Sequence, residues 1–398
     1  MANNLSSNIT RPLAKIFLEA FESSRVVTKT VNTQLLSGKF NPSTGTKVDF
    51  KRPHDYNSIR STGGDISAAA KSDIIAGKAT GTVQPYFTSA TEWSNIQEAL
   101  ELDQLDQILE PMARRLVTDL ELDLAKFMRI NTGLNYGARG TAVDAWSDVA
   151  GAGAMMDSVG VPMSDSKYYL MNPFTTTSLA SAQSGLNAAD GLVRTAFEKA
   201  QIASNFGGMK ALTSNALSSY TSGSTTDRSG DLKTAPDATY VTAKDTMQQT
   251  MVIETLGTGT IEAGDQIQVA GVNRLNIATR QLILDATGAA VPWTGTVLSV
   301  VTITGNEATV VVSGAAIFEA NGQYNNVDAA PAAGAVVTIL GAAATVYQPN
   351  LFYTEQAFGL GTVKLPKLYS TDTVATTSDG MSIRVSKYSD GDANTQKI

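Results

Sequence analysis

Residues 102–128 carry the strongest structural pattern in the chain and read LDQLDQILEPMARRLVTDLELDLAKFM. Apolar side chains recur there at steps of three and four residues, the spacing that one face of an α-helix requires. Proline suits the first turn of a helix, so the pattern predicts a short helix before Pro111 and a long helix from Pro111 to Asn131. The predicted core positions of the long helix are Leu116, Leu120, Leu124 and Phe127.

The residues before this helix differ in character. Residues 36–85 are rich in Gly, Ser, Thr and Lys, and short strand-like pieces occur at 47–50 and 80–87. This pattern predicts a long two-stranded arm with a flexible tip. Since a hairpin of this length has little core of its own, we expect it to lie on another subunit. Upstream, residues 11–24 predict a short amphipathic helix.

The section after the long helix combines helices and strands. Residues 143–159 predict a helix, and the apolar run 167–171 predicts a strand that Asn172-Pro173 ends. Two further helices are predicted at 175–183 and 191–200. An α/β arrangement is therefore expected for this section.

From residue 222 to residue 345 the pattern is almost purely β. Glycine-containing turns separate short strands, which is typical of a small barrel or sandwich. Strand character resumes at 351–358 and 382–387, so we expect this β segment to be inserted into another domain. The predicted strands of the segment are 239–243, 250–254, 266–269, 297–303, 309–312 and 335–340.

Charge is unevenly distributed along the chain, which has a formal net charge of −7. Residues 222–345 contain five Lys or Arg and eleven Asp or Glu, a balance of −6, whereas residues 36–85 contain seven and four, a balance of +3. This balance disfavours wrapping of nucleic acid by counterion release. Opposite charge on separate segments favours contact between copies of one chain, although solvated surface is the simpler interpretation of any single charge.

The sequence carries no recognisable catalytic motif. There is no cysteine and one histidine, His54, which excludes thiolate metal sites and sites that need two imidazoles in one chain. Neither a GxxxxGK(S/T) phosphate loop nor a GxSxG nucleophile motif occurs. We therefore expect no catalytic residue, no cofactor and no metal, and we interpret His54 as a surface or contact residue.

Two stretches bear on membrane association. The first ten residues, MANNLSSNIT, lack the basic region and apolar core of a secretory signal. Residues 334–346 form a weakly polar stretch that is too short to cross a bilayer. We expect a chain made in the cytoplasm without a membrane partner.

The order of these features resembles the major capsid proteins with the Hong Kong 97 fold. Several stretches are most similar to the coat proteins of short-tailed lambdoid phages, and they include PSTGTKVDFKRPHDYNSIRSTGGDIS in the arm and PNLFYTEQAFGLGTVKLPKLYS after the β segment. The similarity covers nearly the whole chain and is weakest within 222–345. The matching stretches are 42–67, 74–81, 102–128, 186–212, 349–370 and 383–397.

The resemblance implies an α+β chain with the Hong Kong 97 capsid fold and an inserted antiparallel β-barrel. The implied division is an N-terminal arm at 1–35, an E-loop at 36–85, a P-domain with the spine helix at 86–141, the first part of the A-domain at 142–221, the inserted I-domain at 222–345, the second part of the A-domain at 346–368, and P-domain return strands at 369–398.

The implied function is that of a major capsid protein. Such a chain self-assembles into hexamers and pentamers of an icosahedral phage head around double-stranded DNA, through a scaffold-directed procapsid that expands on maturation. The implied partners are copies of the chain itself, a scaffolding protein, a portal protein and packaged DNA held by non-specific contacts at the inner surface. The implied location is the virion, after assembly in the host cytoplasm. The arm residues expected at subunit contacts are Lys51, Arg52, His54 and Arg60.

Two other classes of protein are weighed against this one. The first is a different virion structural protein, such as a tail or decoration protein with an immunoglobulin-like β domain, but a long helix followed by an α/β section argues against it. The second is a carbohydrate-active enzyme whose β domain stacks sugars on Trp93 and Trp293. The chain has only three tryptophans, and they are scattered.

Overall fold

The computed structural model describes most of the chain between residues 18 and 398. The described residues are 18–19, 24–33, 47–67, 69, 71–85, 87–94, 105–184, 199–200, 202–361, 365, 367–368, 372–377, 381–390 and 395–398. In this part of the chain no helix is long and apolar enough to span a membrane. The predicted helices at 11–24 and 191–200 lie almost wholly outside the described residues.

The described residues contain both helices and strands. The α-helices are α1 (Leu105–Ile130), α2 (Trp146–Val159), α3 (Pro173–Ser184) and the single turn α4 (Tyr240–Ala243), and short 3-10 turns lie at Val27–Lys29, Thr62–Gly64 and Glu355–Ala357. The strands are β1 (Lys47–Lys51), β2 (Lys78–Thr82), β3 (Glu92–Ser94), β4 (Lys167–Met171), β5 (Asn205–Phe206), β6 (Met209–Thr213), β7 (Tyr220–Thr221), β8 (Ser229–Leu232), β9 (Gln248–Glu254), β10 (Thr260–Ile261), β11 (Gln266–Asn273), β12 (Pro292–Val297), β13 (Val301–Thr302), β14 (Ala308–Ser313), β15 (Val336–Ile339), β16 (Val346–Tyr347), β17 (Leu351–Thr354), β18 (Thr373–Thr376), β19 (Ser382–Val385), β20 (Tyr388–Asp390) and β21 (Thr395–Lys397).

The chain divides into two compact units. The first comprises Met1–Val48, Gly81–Ala125 and Glu355–Ile398, and the second comprises Asp49–Thr80 and Lys126–Thr354. In the first unit, α1 packs on the return strands through two small clusters, which contain Ala113 with Val385 and Val117 with Met381. The strands of this unit form the β18–β19 pair and the three-stranded sheet β20–β21–β3.

Helix α1 is continuous, which corrects the prediction of two helices separated at Pro111. Pro111 lies inside the helix, where it removes one backbone donor and costs roughly 3 kcal/mol. Helical stability in proteins comes mainly from packing of the apolar face, and α1 is packed from Met112 onward, so a single proline does not end it.

The buried face of α1 also differs from the predicted one. Leu124 is 7% exposed, and Leu116 and Leu120 are half-buried, but Phe127 is 54% exposed and does not belong to the core. Met128, the next residue, is buried, and consecutive residues lie about 100° apart around a helix. Near the C-terminal end of α1, the buried face therefore passes through Met128, whereas the spacing in the sequence predicts that it passes through Phe127.

A four-stranded sheet with two helices forms part of the second unit. Its order is β17–β4–β6–β5, and β4 runs parallel to β6. Helices α2 and α3 bury Met156 and Leu179 against strand residues such as Met171. Asn172 starts α3, because its side-chain oxygen accepts a hydrogen bond from the backbone N–H of Thr175 at 2.7 Å.

Six antiparallel strands of the second unit form a closed barrel in the order β11–β12–β14–β9–β8–β15. Burial alternates along β14, as expected for a strand with one face inside a barrel. Trp293 is fully buried in the barrel core, and its indole nitrogen donates a hydrogen bond to the backbone oxygen of Gly314 at 2.9 Å. A buried tryptophan cannot stack on a sugar. Trp293 therefore does not support the alternative of a carbohydrate-active enzyme.

Two barrel segments differ from the sequence prediction. Residues 239–243 were predicted as a strand but form α4, because the Asp237 carboxylate accepts hydrogen bonds from the backbone N–H of Thr239 at 2.9 Å and the hydroxyl of Thr242 at 2.7 Å. The predicted strand 297–303 is interrupted, since β12 ends at Val297 and β13 begins at Val301. The remaining predicted strands of the barrel overlap β9, β11, β14 and β15.

Candidate assembly surface

The strand pair β1–β2 and the segment between the two strands form the predicted arm, and its four predicted contact residues behave differently. Lys51, His54 and Arg60 are exposed. Arg52 is half-buried within the arm, since its backbone N–H donates to the oxygen of Gly77 at 2.9 Å and its Nε donates to the oxygen of Lys78 at 3.1 Å. Three of the four side chains are therefore available to a partner, whereas Arg52 also holds the two strands together.

An ion pair joins the two strands of the arm. The Lys78 ammonium donates a hydrogen bond to Asp49 at 2.8 Å, and the hydroxyl of Thr80 donates to the same carboxylate at 2.5 Å. The hydrogen bond to Asp49 raises the pKa of Lys78. Both charges are half-exposed, so the pair serves register more than stability.

Residues 55–57 and 73–78, which we call the base of the arm, contact α4 and loops of the barrel segment in their own chain. Asp55 forms an ion pair with Arg280, which also donates to the backbone oxygen of Asn325 at 2.7 Å. The Asn57 amide donates to the backbone oxygen of Asn321 at 2.8 Å. The base is thus bound within the chain, and contact of the arm with another subunit stays a prediction.

The returning half of the arm contacts the same region of the barrel. The Gln323 amide donates to the backbone oxygen of Asp73 at 2.6 Å, and the backbone N–H of Lys78 donates to the Asp245 carboxylate at 3.2 Å. Ile75 packs between them against an apolar cluster. The residues of that cluster are Tyr240, Ala243, Met247, Ala315, Ile317 and Tyr324.

The arm exposes several apolar side chains, both within the contacting segments and beyond them. Ile74 is 76% exposed, and Tyr56, Ile59 and Ile66 are also exposed. They accompany the exposed cation Arg60. Exposed apolar side chains that form a contiguous patch are typical of protein–protein interfaces.

A second polar cluster lies where the barrel joins the α/β sheet. The Asp265 carboxylate is fully buried and accepts hydrogen bonds from the backbone N–H groups of Gly223 at 2.9 Å and Glu262 at 3.0 Å. The Arg228 guanidinium lies 3.6 Å from it. Burial lowers the pKa of Arg139 to about 10, and the charge of Asp265 opposes that shift. The cluster joins the two connections of the barrel.

The arm–barrel contact could not be found from the sequence. Asp55 pairs with Arg280, which is 225 residues away in the chain. Sequence spacing carries no information about a contact at that separation. Among the described residues, no group of three or more His, Asp or Glu could hold a metal ion.

Comparison with known proteins identifies the family of the chain. The family model described as "P22 coat protein - gene protein 5" matches residues 1–398. The chain belongs to the P22 coat protein family. Members of this family are structural capsid proteins, not enzymes.

A relative within the family supports the same assignment. The "Major capsid protein" of Acyrthosiphon pisum secondary endosymbiont phage 1 is 46% identical over 403 residues, which cover 100% of this chain and 95% of the relative. The chain is accordingly a major capsid protein of a tailed phage and a component of the virion.

Solved capsid structures are similar only at a low level. A Mycobacterium phage Che8 chain has a TM-score of 0.32 at 16% identity and covers 73% of this chain and 89% of its own length. A chain from the mature capsid of bacteriophage PhiM1 has a TM-score of 0.31 at 10% identity, with coverage of 76% and 81%. The family assignment rests on the sequence matches and not on these superpositions.

Proposed function

We propose that this coat protein has the Hong Kong 97 fold and builds an icosahedral head from hexamers and pentamers. Its barrel, residues 222–345, is the inserted I-domain, and the arm is the E-loop. Assembly starts as a procapsid around a scaffolding protein, and the shell expands on maturation. The family match along residues 1–398 is the observation that supports this function best.

The chemistry of the arm supports the role of a subunit contact. Lys51 and Arg60 are exposed cations on a segment of positive balance, and exposed apolar side chains accompany them. The barrel segment carries the acidic excess of the chain. Many modest contacts, repeated in every subunit, sum to a stable shell.

The other partners follow from this role. A portal protein would occupy one vertex, and double-stranded DNA would touch the inner surface without sequence readout. The net charge of −7 fits weak, non-specific DNA contact and not tight binding. Assembly would take place in the host cytoplasm.

Charge reversal of the arm tests the proposed contact surface. In the double variant Lys51→Glu and Arg60→Glu, we expect loss or misdirection of shells, with a soluble subunit, because each reversed charge repels its partner in every subunit of the shell. Arg52 is left unchanged, since its guanidinium holds the two strands of the arm together. His54→Ala is the control and should assemble as wild type does. Sedimentation after co-expression with the cognate scaffolding protein measures both variants. Normal shells from the double variant would show that the exposed charges of the arm do not bind a neighbour.

A further inference from the structure

The base of the arm is held on both of its strands by one region of the barrel. The outgoing half supplies Asp55 and Asn57, and the returning half supplies residues 73–78. We propose that the barrel is the receptor for the arm of its own subunit, that this contact persists in the assembled shell, and that it aims the arm's tip at a neighbouring subunit. This inference rests on the proposed function, because it assigns a partner to one surface of the shell subunit.

The backbone of the arm at Gly77 lies very close to the backbone at Lys244. This close approach indicates a specific binding site for the arm, which we call the seat. A Cβ atom at Gly77 would lie 2.8 Å from the backbone oxygen of Lys244 and 2.9 Å from the hydroxyl of Tyr240. Distances below 3.0 Å are not tolerated by real Cβ atoms, and one of these two neighbours is backbone. Only glycine therefore allows the arm to approach α4 this closely.

Aromatic packing completes the seat. The rings of Tyr240 and Tyr324 stack with centroids 3.7 Å apart and planes 12° apart, beneath Ile75. The Tyr324 hydroxyl lies 3.4 Å from both the backbone oxygen of Ile75 and the backbone N–H of Asp55. One barrel side chain thus contacts both halves of the arm and fixes their separation.

The occupant of the seat is the arm of the same chain. A single chain satisfies the ion pair, the amide hydrogen bonds and the apolar contact together. The contacts lie at residues 55–57 and 73–78, so the tip between these two segments is left for another subunit. An arm from another subunit could make the same contacts. The two arrangements differ only in whether the arm and the barrel belong to the same chain.

A crosslink between the arm and the barrel segment shows whether both belong to the same chain. The natural chain has no cysteine, so a pair of introduced thiols is the only one present. Ala76→Cys and Lys244→Cys place thiols on facing segments, since the Lys244 ammonium lies 3.4 Å from the backbone oxygen of Ala76. The purified full-length protein, as subunits and as shells, is treated with a bis-maleimide and separated on a denaturing gel. We expect a single-chain band of altered mobility in both states.

Two control variants test whether the crosslink is specific to the proposed contact. Ser61→Cys with Lys244→Cys places one thiol on the tip, beyond the contacts, and should give no intrachain product in the free subunit. Adding Gly77→Val to the Ala76 pair should abolish the product, because the branched side chain cannot enter the seat. A ladder of crosslinked oligomers from shells, or no product from free subunits, would overturn the proposal. Absence of shells would refute the proposed function instead, and the subunit result would still report on the seat.

Discussion

Glu121 is a buried carboxyl group in the middle of α1. One of its oxygens accepts hydrogen bonds from the backbone N–H of Val26 at 2.5 Å and of Thr28 at 3.4 Å. Burial raises the pKa of Glu121, and the backbone hydrogen bonds only partly oppose that effect. The fold therefore favours the protonated form, and ionisation above the unfolded-state pKa lowers the free energy of unfolding.

A substitution at Glu121 tests this account of the residue. Gln keeps an oxygen that can accept the hydrogen bonds but cannot ionise. As the pH rises from the unfolded-state pKa of Glu121 to its raised folded-state pKa, the wild type should lose stability relative to Glu121→Gln, and above that window the difference should be constant. Thermal melts across this pH range measure the difference. A difference independent of pH, or one that favours the wild type as the pH rises, would show that the carboxylate is not destabilised by burial.

At the scale of the element, α1 places neighbouring apolar residues in different environments. Leu124→Ala should cost about 2–5 kcal/mol, because it removes a buried side chain and leaves a cavity. Phe127→Ala is the matched control on the same helix and should cost much less, since that ring is largely exposed. Solubility and melting temperature of the two variants give the comparison. Equal losses would place the buried face where the sequence pattern predicted it.

The sequence predicts some elements better than others for physical reasons. Strand β4 is predicted at its observed bounds, Lys167–Met171, because a run of large apolar residues ends at Asn172-Pro173. Strand β8 is missed, because Gly230 replaces a large side chain where the strand passes the backbone oxygen of Glu254. A Cβ there would lie 2.6 Å from that oxygen, so close packing removes the apolar signal on which strand prediction relies.

The same limit applies to the candidate site. The positive balance of the arm and its lack of core are visible in composition, and Lys51 and Arg60 prove exposed. The seat on the barrel is not visible, because Asp55, Gly77 and Tyr324 become neighbours only when the arm and the barrel meet. Hydrogen bonds to backbone oxygens, such as that from Gln323 to Asp73, leave no trace in residue type at the acceptor.

The whole molecule is a subunit of a phage capsid, as its membership of the P22 coat protein family shows. The second unit contains a closed barrel that binds the base of the arm and leaves apolar and cationic groups exposed on the arm's tip. Such a subunit presents exposed apolar and cationic side chains that a neighbouring subunit can cover. Repetition of one contact around closed symmetry is the way in which such surfaces build large assemblies.

Negative-stain electron microscopy of the wild-type chain, purified after co-expression with its cognate scaffolding protein, shows whether the chain builds a shell. We expect closed, uniform shells that are absent when the coat protein is omitted. Soluble monomers alone, or tubes and irregular aggregates in place of shells under conditions where both proteins are present and folded, would contradict this expectation.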